Sequence, residues 1–308
     1  MAQKKVLAFG ASGLVGSKFL ELNNQKYQID APDVKELDIL DVDALEQYLK
    51  KSSPDAVINF AAFTDVQGAE KDKDNKDGLC YKINVVGAGN VAKLCSKIGV
   101  HLIHISTDYV FDGEKGESPY TEDDRPNPIN WYGQTKYLAE VAVKDAGGDV
   151  AIARLCMPYS AKYELKNDVA RFFLGRFQNG EEITAINDQK ITPTIVDDIA
   201  NALRTLIDSR SKGTYHVTAS NWTTPFDFVI EIGKAFGYDN SKIMKTSLDE
   251  YNQSKLAKLL RYSWLSPAKF EKEFSEGILH TVEESVQIFK KQVDSDSIGV
   301  DSISVDKV

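Results

Sequence analysis

Short apolar runs alternate with amphipathic stretches over most of the chain. Lys5-Val6-Leu7-Ala8-Phe9 reads as a buried strand, and an amphipathic helix follows it to Leu22. Further strand-like runs are Tyr27-Gln28-Ile29, Asp55 to Ala62, His101 to Ile105, Val150 to Leu155 and Thr214 to Val217. Between them the apolar spacing predicts helices from about Val42 to Lys51, through Asn84 and Val85 to about Ile98, from Tyr132 onward, from Asn167 to Asn179 and from Asp197 to Ile207. The mixed-charge stretch from Glu70 to Asp77 reads as a solvated loop or a helix start. Strand and helix alternate without a repeat of about 20–50 residues, which predicts an α/β fold with a doubly wound parallel sheet.

The pattern loosens after Arg154. Residues 1–155 with 185–218 are expected to form the sheet domain, and 156–184 with 219–292 a smaller mixed part whose helices carry poorer signals. Residues 293–308 are polar and aperiodic, and a flexible tail is expected there. Ligands of doubly wound sheets lie beyond the carboxyl ends of the strands. Gly10, Ala61, Thr107 and Met157 all stand at such ends, so they should converge on one crevice.

Two motifs give that crevice chemistry. The first strand runs into Gly10-Ala11-Ser12-Gly13-Leu14-Val15-Gly16 and then a helix. Strand, glycine turn and helix N-terminus together form the context of a Rossmann-like dinucleotide site. The glycines admit a tight turn and a close pyrophosphate, and the helix presents free N–H groups. Asp30, twenty residues after Gly10, suits an adenosine ribose, whereas nearby Lys35 suits a 2′-phosphate, so NADH and NADPH both stay open. The second motif is Tyr132-Gly133-Gln134-Thr135-Lys136. Residues four apart on a helix lie one turn above the other. The ammonium is expected to bring the phenol down toward neutral pH and make it a proton donor.

Composition narrows the class. The 308 residues are 42% hydrophobic and 27% charged, ordinary for a globular chain. No apolar run approaches the roughly 20 residues of a membrane span, and no secretory leader is read at Met1 to Lys5. The net charge of −9 argues against coating nucleic acid. Cys80, Cys95 and Cys156 are scattered, as expected of reduced thiols in a cytoplasmic protein. His101 and His104 are at odd separation with no third ligand in view, so no metal site is expected.

With these motifs in hand, the chain resembles the extended short-chain dehydrogenase/reductases, and among them the dTDP-4-dehydrorhamnose reductases. The matching pieces are Asn59-x-Ala61-Ala62-x-Thr64-Asp65, Ala69-Glu70, Ser106 to Gly113, Pro119-Tyr120-x-Glu122, Pro128, Tyr132-Gly133-x-Thr135-Lys136 and Pro193-Thr194. They span roughly residues 4 to 205. The resemblance implies an NAD(P)H-dependent reductase of a nucleotide-linked keto sugar. In it Tyr132 is the proton donor, Thr107 holds the carbonyl oxygen, and Lys136 tunes Tyr132 and binds the nicotinamide ribose. It implies a cofactor lined by Gly10, Ser12, Gly13, Leu14, Val15, Gly16, Asp38, Ile39, Phe60, Ala61, Ala62 and Thr64, besides Tyr132 and Lys136. Thr107, Tyr109 and Met157 fall on the substrate side. Two departures lie in the substrate half. Met157 stands where relatives carry a sugar-packing tryptophan, and Arg261-Tyr262 replaces an Arg-Pro signature. The same resemblance leaves open an epimerase or dehydratase, a binding subunit like the methionine adenosyltransferase beta subunit, and a homodimer. Asp108 is followed by Tyr109 and not by a second acid, which weighs against the dehydratase.

Overall fold

A computed structural model describes residues 3–116 and 118–301, with side chains described through residue 295. The first half alternates as expected: β1 (Lys5–Phe9), α1 (Leu14–Asn23), β2 (Gln28–Asp30), α2 (Val42–Ser52), β3 (Ala56–Asn59) and α3 (Val66–Lys71). Next come α4 (Leu79–Tyr81), a π-helical turn (Lys82–Gly87), α5 (Ala88–Ile98), β4 (His101–Thr107), α6 (Trp131–Asp145) and β5 (Val150–Leu155). The second half holds β6 (Pro158–Tyr159), α7 (Val169–Gln178), β7 (Ile183–Ile186), β8 (Thr194–Ile195), α8 (Val196–Ser209) and β9 (Gly213–His216). It closes with α9 (Pro225–Phe236), β10 (Ile243–Thr246), α10 (Leu248–Gln253), α11 (Ala268–Phe274) and α12 (Val282–Asp301).

Six strands form one parallel sheet in the order β2-β1-β3-β4-β5-β9. The order reverses between β1 and β3, and that is where such sheets open a crevice. Side-chain alternation feeds two cores. Ala56 and Ile58 of β3 point to the face packed by α8, and Val57 points to the face packed by α2, α5 and α6. Both faces are buried, which is why these strands read as continuous apolar runs. A third core joins α7, α9 and α12 around Phe173, Phe228 and Phe289.

Three local expectations change. β7 pairs in parallel with β10, so residues 185 and 186 go with the smaller part and not with the main sheet. Each strand has only four residues, and its partner lies 60 positions away (Ile183 opposite Ile243), too far for a local pattern to reveal. Residues Asp294 to Asp301, read as tail, continue α12 as helix, with Lys290 and Asp294 paired one turn apart. Residues 302–308 of the expected tail lie outside the described residues. The helix through Asn84 is interrupted by the π-helical turn, a feature frequent at functional sites.

Candidate active site

The carboxyl ends of β1, β3, β4 and β5 meet at a cleft of about 910 Å³. Gly10 adopts φ +68, and a Cβ there would stand 2.6 Å from both N and Cα of Ala61. Only glycine lets the end of β1 lie this close to β3. At Gly16 a Cβ would meet Ala11 Cα at 2.5 Å, so that glycine seats α1 against its own turn. Gly13 caps α1 without a side-chain bond, and the first turn of α1 carries no acid. The N–H groups and positive end of α1 are thus left for an anion. Asn59 accepts a hydrogen bond from the Ala61 N–H (3.1 Å) and shapes the opposite wall.

Asp30 does not do what the spacing predicts. Its carboxylate accepts the Tyr48 hydroxyl (3.0 and 2.9 Å), and Asp30 is not in the cleft wall. The loop after it is. Asp33 turns its carboxylate back to the N–H groups of Lys35 and Glu36 (2.7 and 3.1 Å), and Lys35 lines the cleft. Among the described residues no carboxylate pairs with the Lys35 ammonium. Asp38 and Ile39 lie in the wall as expected, Ile39 resting on Gly87 of the π-helical turn, where a Cβ would meet its Cδ1 at 2.5 Å.

α6 brings Tyr132 and Lys136 in. Asn130 caps it through the Gly133 N–H (2.8 Å), and the Glu70 carboxylate accepts the Trp131 N–H (2.7 Å). A Cβ on Gly133 would stand 2.1 Å from the Tyr109 carbonyl oxygen. The glycine after Tyr132 therefore lets the segment following β4 press directly onto α6. As a result Thr107, Tyr132 and Lys136 all line the same cleft. The Tyr109 ring meets Tyr132 edge-on at 5.6 Å, and Tyr109, Met157 and the cofactor-side residues that the family resemblance implies line the cleft too, whereas Asp30 does not.

The electrostatics correct one expectation. Lys136 is 3% exposed and gives its ammonium to the Ile105 carbonyl (2.6 Å). Burial lowers it to about 8, against the pull of Glu140. The Tyr132 phenol is raised and not lowered. Burial is the main cause and the Asp108 carboxylate adds to it, while hydrogen bonding with Thr107 opposes. Desolvation sets the direction, and the Lys136 ammonium, engaged with the Ile105 carbonyl, is not among the groups that shift the phenol. Tyr132 therefore stays protonated at neutral pH. Thr107 donates to Asp108 Oδ1 (2.8 Å). Burial raises Asp108 to about 6, opposed by hydrogen bonds from Thr107, Cys156 and Ser263.

A carboxyl raised on folding favours the protonated native state, so stability falls as pH climbs from the ordinary 3.8 through about 6. Asp108→Asn should therefore melt higher than the parent near pH 7.5, with the difference closing near pH 4, in thermal unfolding at about those two pH values. No difference at the higher pH would refute this.

Met157, expected at the crevice, lines it at the end of β5, but nothing in the sequence signals its left-handed backbone of φ +44. Other cleft features were not read from sequence. Gln189, Leu260 and Ser263 arrive from distant segments. Asn84 accepts the Phe63 N–H (2.8 Å) and donates to Thr135 (2.9 Å), tying the β3 end to α6. Its place in the helix before β4 was the one available signal. Arg261 is held by Asp188 and Asp249 (2.6 Å each) and is not in the cleft wall. Among the described residues no cluster of His, Cys, Asp and Glu is arranged to hold a metal ion, and no helix is long and apolar enough to cross a membrane.

The sequence pattern that defines the RmlD substrate binding domain matches residues 4–294. The chain belongs to this family. The similarity extends to individual proteins. A probable low-salt glycan biosynthesis reductase, Agl14 of Haloferax volcanii, is 32% identical over 248 residues, 76% of this chain and 81% of that protein. The solved dTDP-4-dehydrorhamnose reductase of Bacillus anthracis, in complex with NADP, is 31% identical with a TM-score of 0.86 and covers 94% of this chain and 100% of its own. The methionine adenosyltransferase 2 subunit beta of Rattus norvegicus is 29% identical over 254 residues, 78% of this chain and 74% of that protein. The α/β Rossmann-like architecture of this RmlD-family chain is that of the reductase structure.

Proposed function

We propose that the protein is an NAD(P)H-dependent oxidoreductase that reduces the ketone of a nucleotide-linked sugar. The observation that carries this is the meeting of Thr107, Tyr132 and Lys136 in one cleft with the glycine turn. The turn fits a dinucleotide: Gly10 and Gly16 leave no room for a Cβ, and α1 presents uncapped N–H groups. A bound nicotinamide supplies hydride. The chain's own residues do the rest. Tyr132 offers a hydroxyl where negative charge grows on the ketone oxygen, and Thr107 offers a second by turning its proton from Asp108 to that oxygen. The Tyr132 phenol, kept neutral by burial, gives its proton to that oxygen. Lys136, fixed by Ile105, binds the ribose beside it. Tyr109 and Met157 form the sugar side, with the part around α7, α9 and α12 closing the substrate half. The reading is of an enzyme, not a binding subunit, because the three groups retain an arrangement that binding alone does not require.

The test is oxidation of NADPH on addition of dTDP-linked 4-keto sugars. A protein that oxidises no cofactor with any of them refutes the reading.

Asp30 faces Tyr48 while Lys35 faces the cleft, so the 2′-phosphate of NADPH gains a cation and the free ribose of NADH lacks its acid. NADPH should bind about tenfold tighter than NADH, and Lys35→Glu should reverse the order, an ion pair to phosphate having that magnitude. Equal affinities in a fluorescence titration would refute the assignment.

A further inference from the structure

The segment between β6 and α7, residues 160–168, reaches back across the cleft. The Tyr163 hydroxyl donates to the Ser12 carbonyl in the glycine turn (3.1 Å), a contact between residues 151 positions apart. Tyr163, Lys166, Asn167 and Asp168 all line the cleft that the turn opens. The segment is braced from behind. Arg171 pairs with Asp168 (2.8 Å), donates to the Tyr163 and Lys166 carbonyls and lies over the Tyr163 ring at 5.8 Å. Asp168 also caps α7 and accepts the Ser160 N–H (3.1 Å). A surface connection with no ligand to meet would not need one arginine tying together three of its residues.

Charge says what the segment meets. Three cations line the cleft: Lys35, Lys136 and Lys166. Lys35 is on the loop after β2, at the adenosine end, and Lys136 is bound to Ile105 beside Tyr132. The region between them faces the glycine turn, where a dinucleotide places a diphosphate with two negative charges. The turn itself supplies only N–H groups. Lys166 is exposed and stands on the segment latched to Ser12.

We propose that residues 160–168 are a clasp over the cofactor diphosphate, in which Lys166 binds the phosphates and Tyr163 positions it through Ser12. The inference rests on the dinucleotide reading above. The clasp joins the substrate half to the cofactor half, so cofactor binding organises the wall that substrate then meets.

The experiment is fluorescence titration of the full chain with NADPH alone, and separately calorimetric titration with dTDP alone. Lys166→Ala should weaken NADPH about tenfold and flatten its salt dependence, the signature of a lost phosphate contact, while dTDP affinity stays within about twofold. Lys166→Arg should restore NADPH affinity. Tyr163→Phe should weaken NADPH about fivefold, the scale of one neutral hydrogen bond, and speed its release. Unchanged NADPH affinity in Lys166→Ala overturns the clasp, as does a loss confined to dTDP. A parent protein that binds NADPH while both variants match it leaves the reductase reading standing and removes only the clasp. A parent that ignores NADPH sinks both.

Discussion

Tyr132→Phe should lower reduction of a keto sugar nucleotide by about a thousandfold while NADPH affinity stays within a few-fold, the range expected for losing one positioned general acid. The change removes a single oxygen from a ring that is already 8% exposed and packed edge-on against Tyr109. No cavity opens and no helix contact is lost, so the fold should be unaffected. What disappears is the proton and one of the two hydroxyls facing the growing alkoxide. Thr107 and its Asp108 partner remain, which is why some activity should persist. Stopped-flow reduction under single-turnover conditions separates this from slow release. A variant with more than a tenth of parental activity would show that another group gives the proton.

Arg154→Ala should cost about 3–5 kcal/mol of stability, the magnitude of breaking a buried ion pair on one side. Arg154 is 1% exposed and meets Glu140, fully buried, through two hydrogen bonds of 2.8 and 2.7 Å. Ser106, next to Thr107, donates to the same carboxylate (2.6 Å), and the guanidinium lies over Phe111 at 5.0 Å. Burial works to raise Glu140, but the hydrogen bonds and charge of Arg154, helped by Ser106, hold it below the ordinary carboxylate value. A depressed carboxyl contributes stability above its unfolded value of 4.5 and loses it as pH falls through the lower native one. Removing Arg154 leaves the buried Glu140 carboxylate with only the Ser106 hydroxyl and the half-exposed Lys144 at 3.7 Å to meet its charge. Chemical denaturation measures the loss. Replacing both partners, as in Glu140→Leu with Arg154→Met, should recover much of it, since the desolvated charges leave together. A single variant within about 1 kcal/mol of the parent would deny the pair its structural role.

Glu140 also illustrates what was legible along the chain and what was not. It follows Tyr132 and Lys136 at four-residue intervals on α6, so its face was predictable. Its partner was not, because Arg154 sits on β5 and reads there as one charge in an apolar run. The same division runs through the cleft. The glycine turn, the four strand ends and the tyrosine–lysine pair were readable because each depends on near neighbours or on strand alternation. Asp30 was misplaced because spacing gives a residue's distance along the chain and not the direction of its carboxylate, which Tyr48 of α2 takes. The phenol's direction of shift was missed for a related reason. Proximity to Lys136 is local, whereas burial is the sum of everything packed above. β7 and β10 escaped because four-residue strands exist only through each other.

Periodicity and motif order were enough to establish a doubly wound parallel sheet, a glycine turn opening a helix and a tyrosine–lysine pair one helical turn apart, since all three arise from interactions within a few residues. The tertiary structure decided which groups face the cleft, which carboxyls are desolvated and which loop crosses to the glycine turn. Those outcomes depend on contacts between segments far apart in the chain, and hydrophobic pattern carries no record of them.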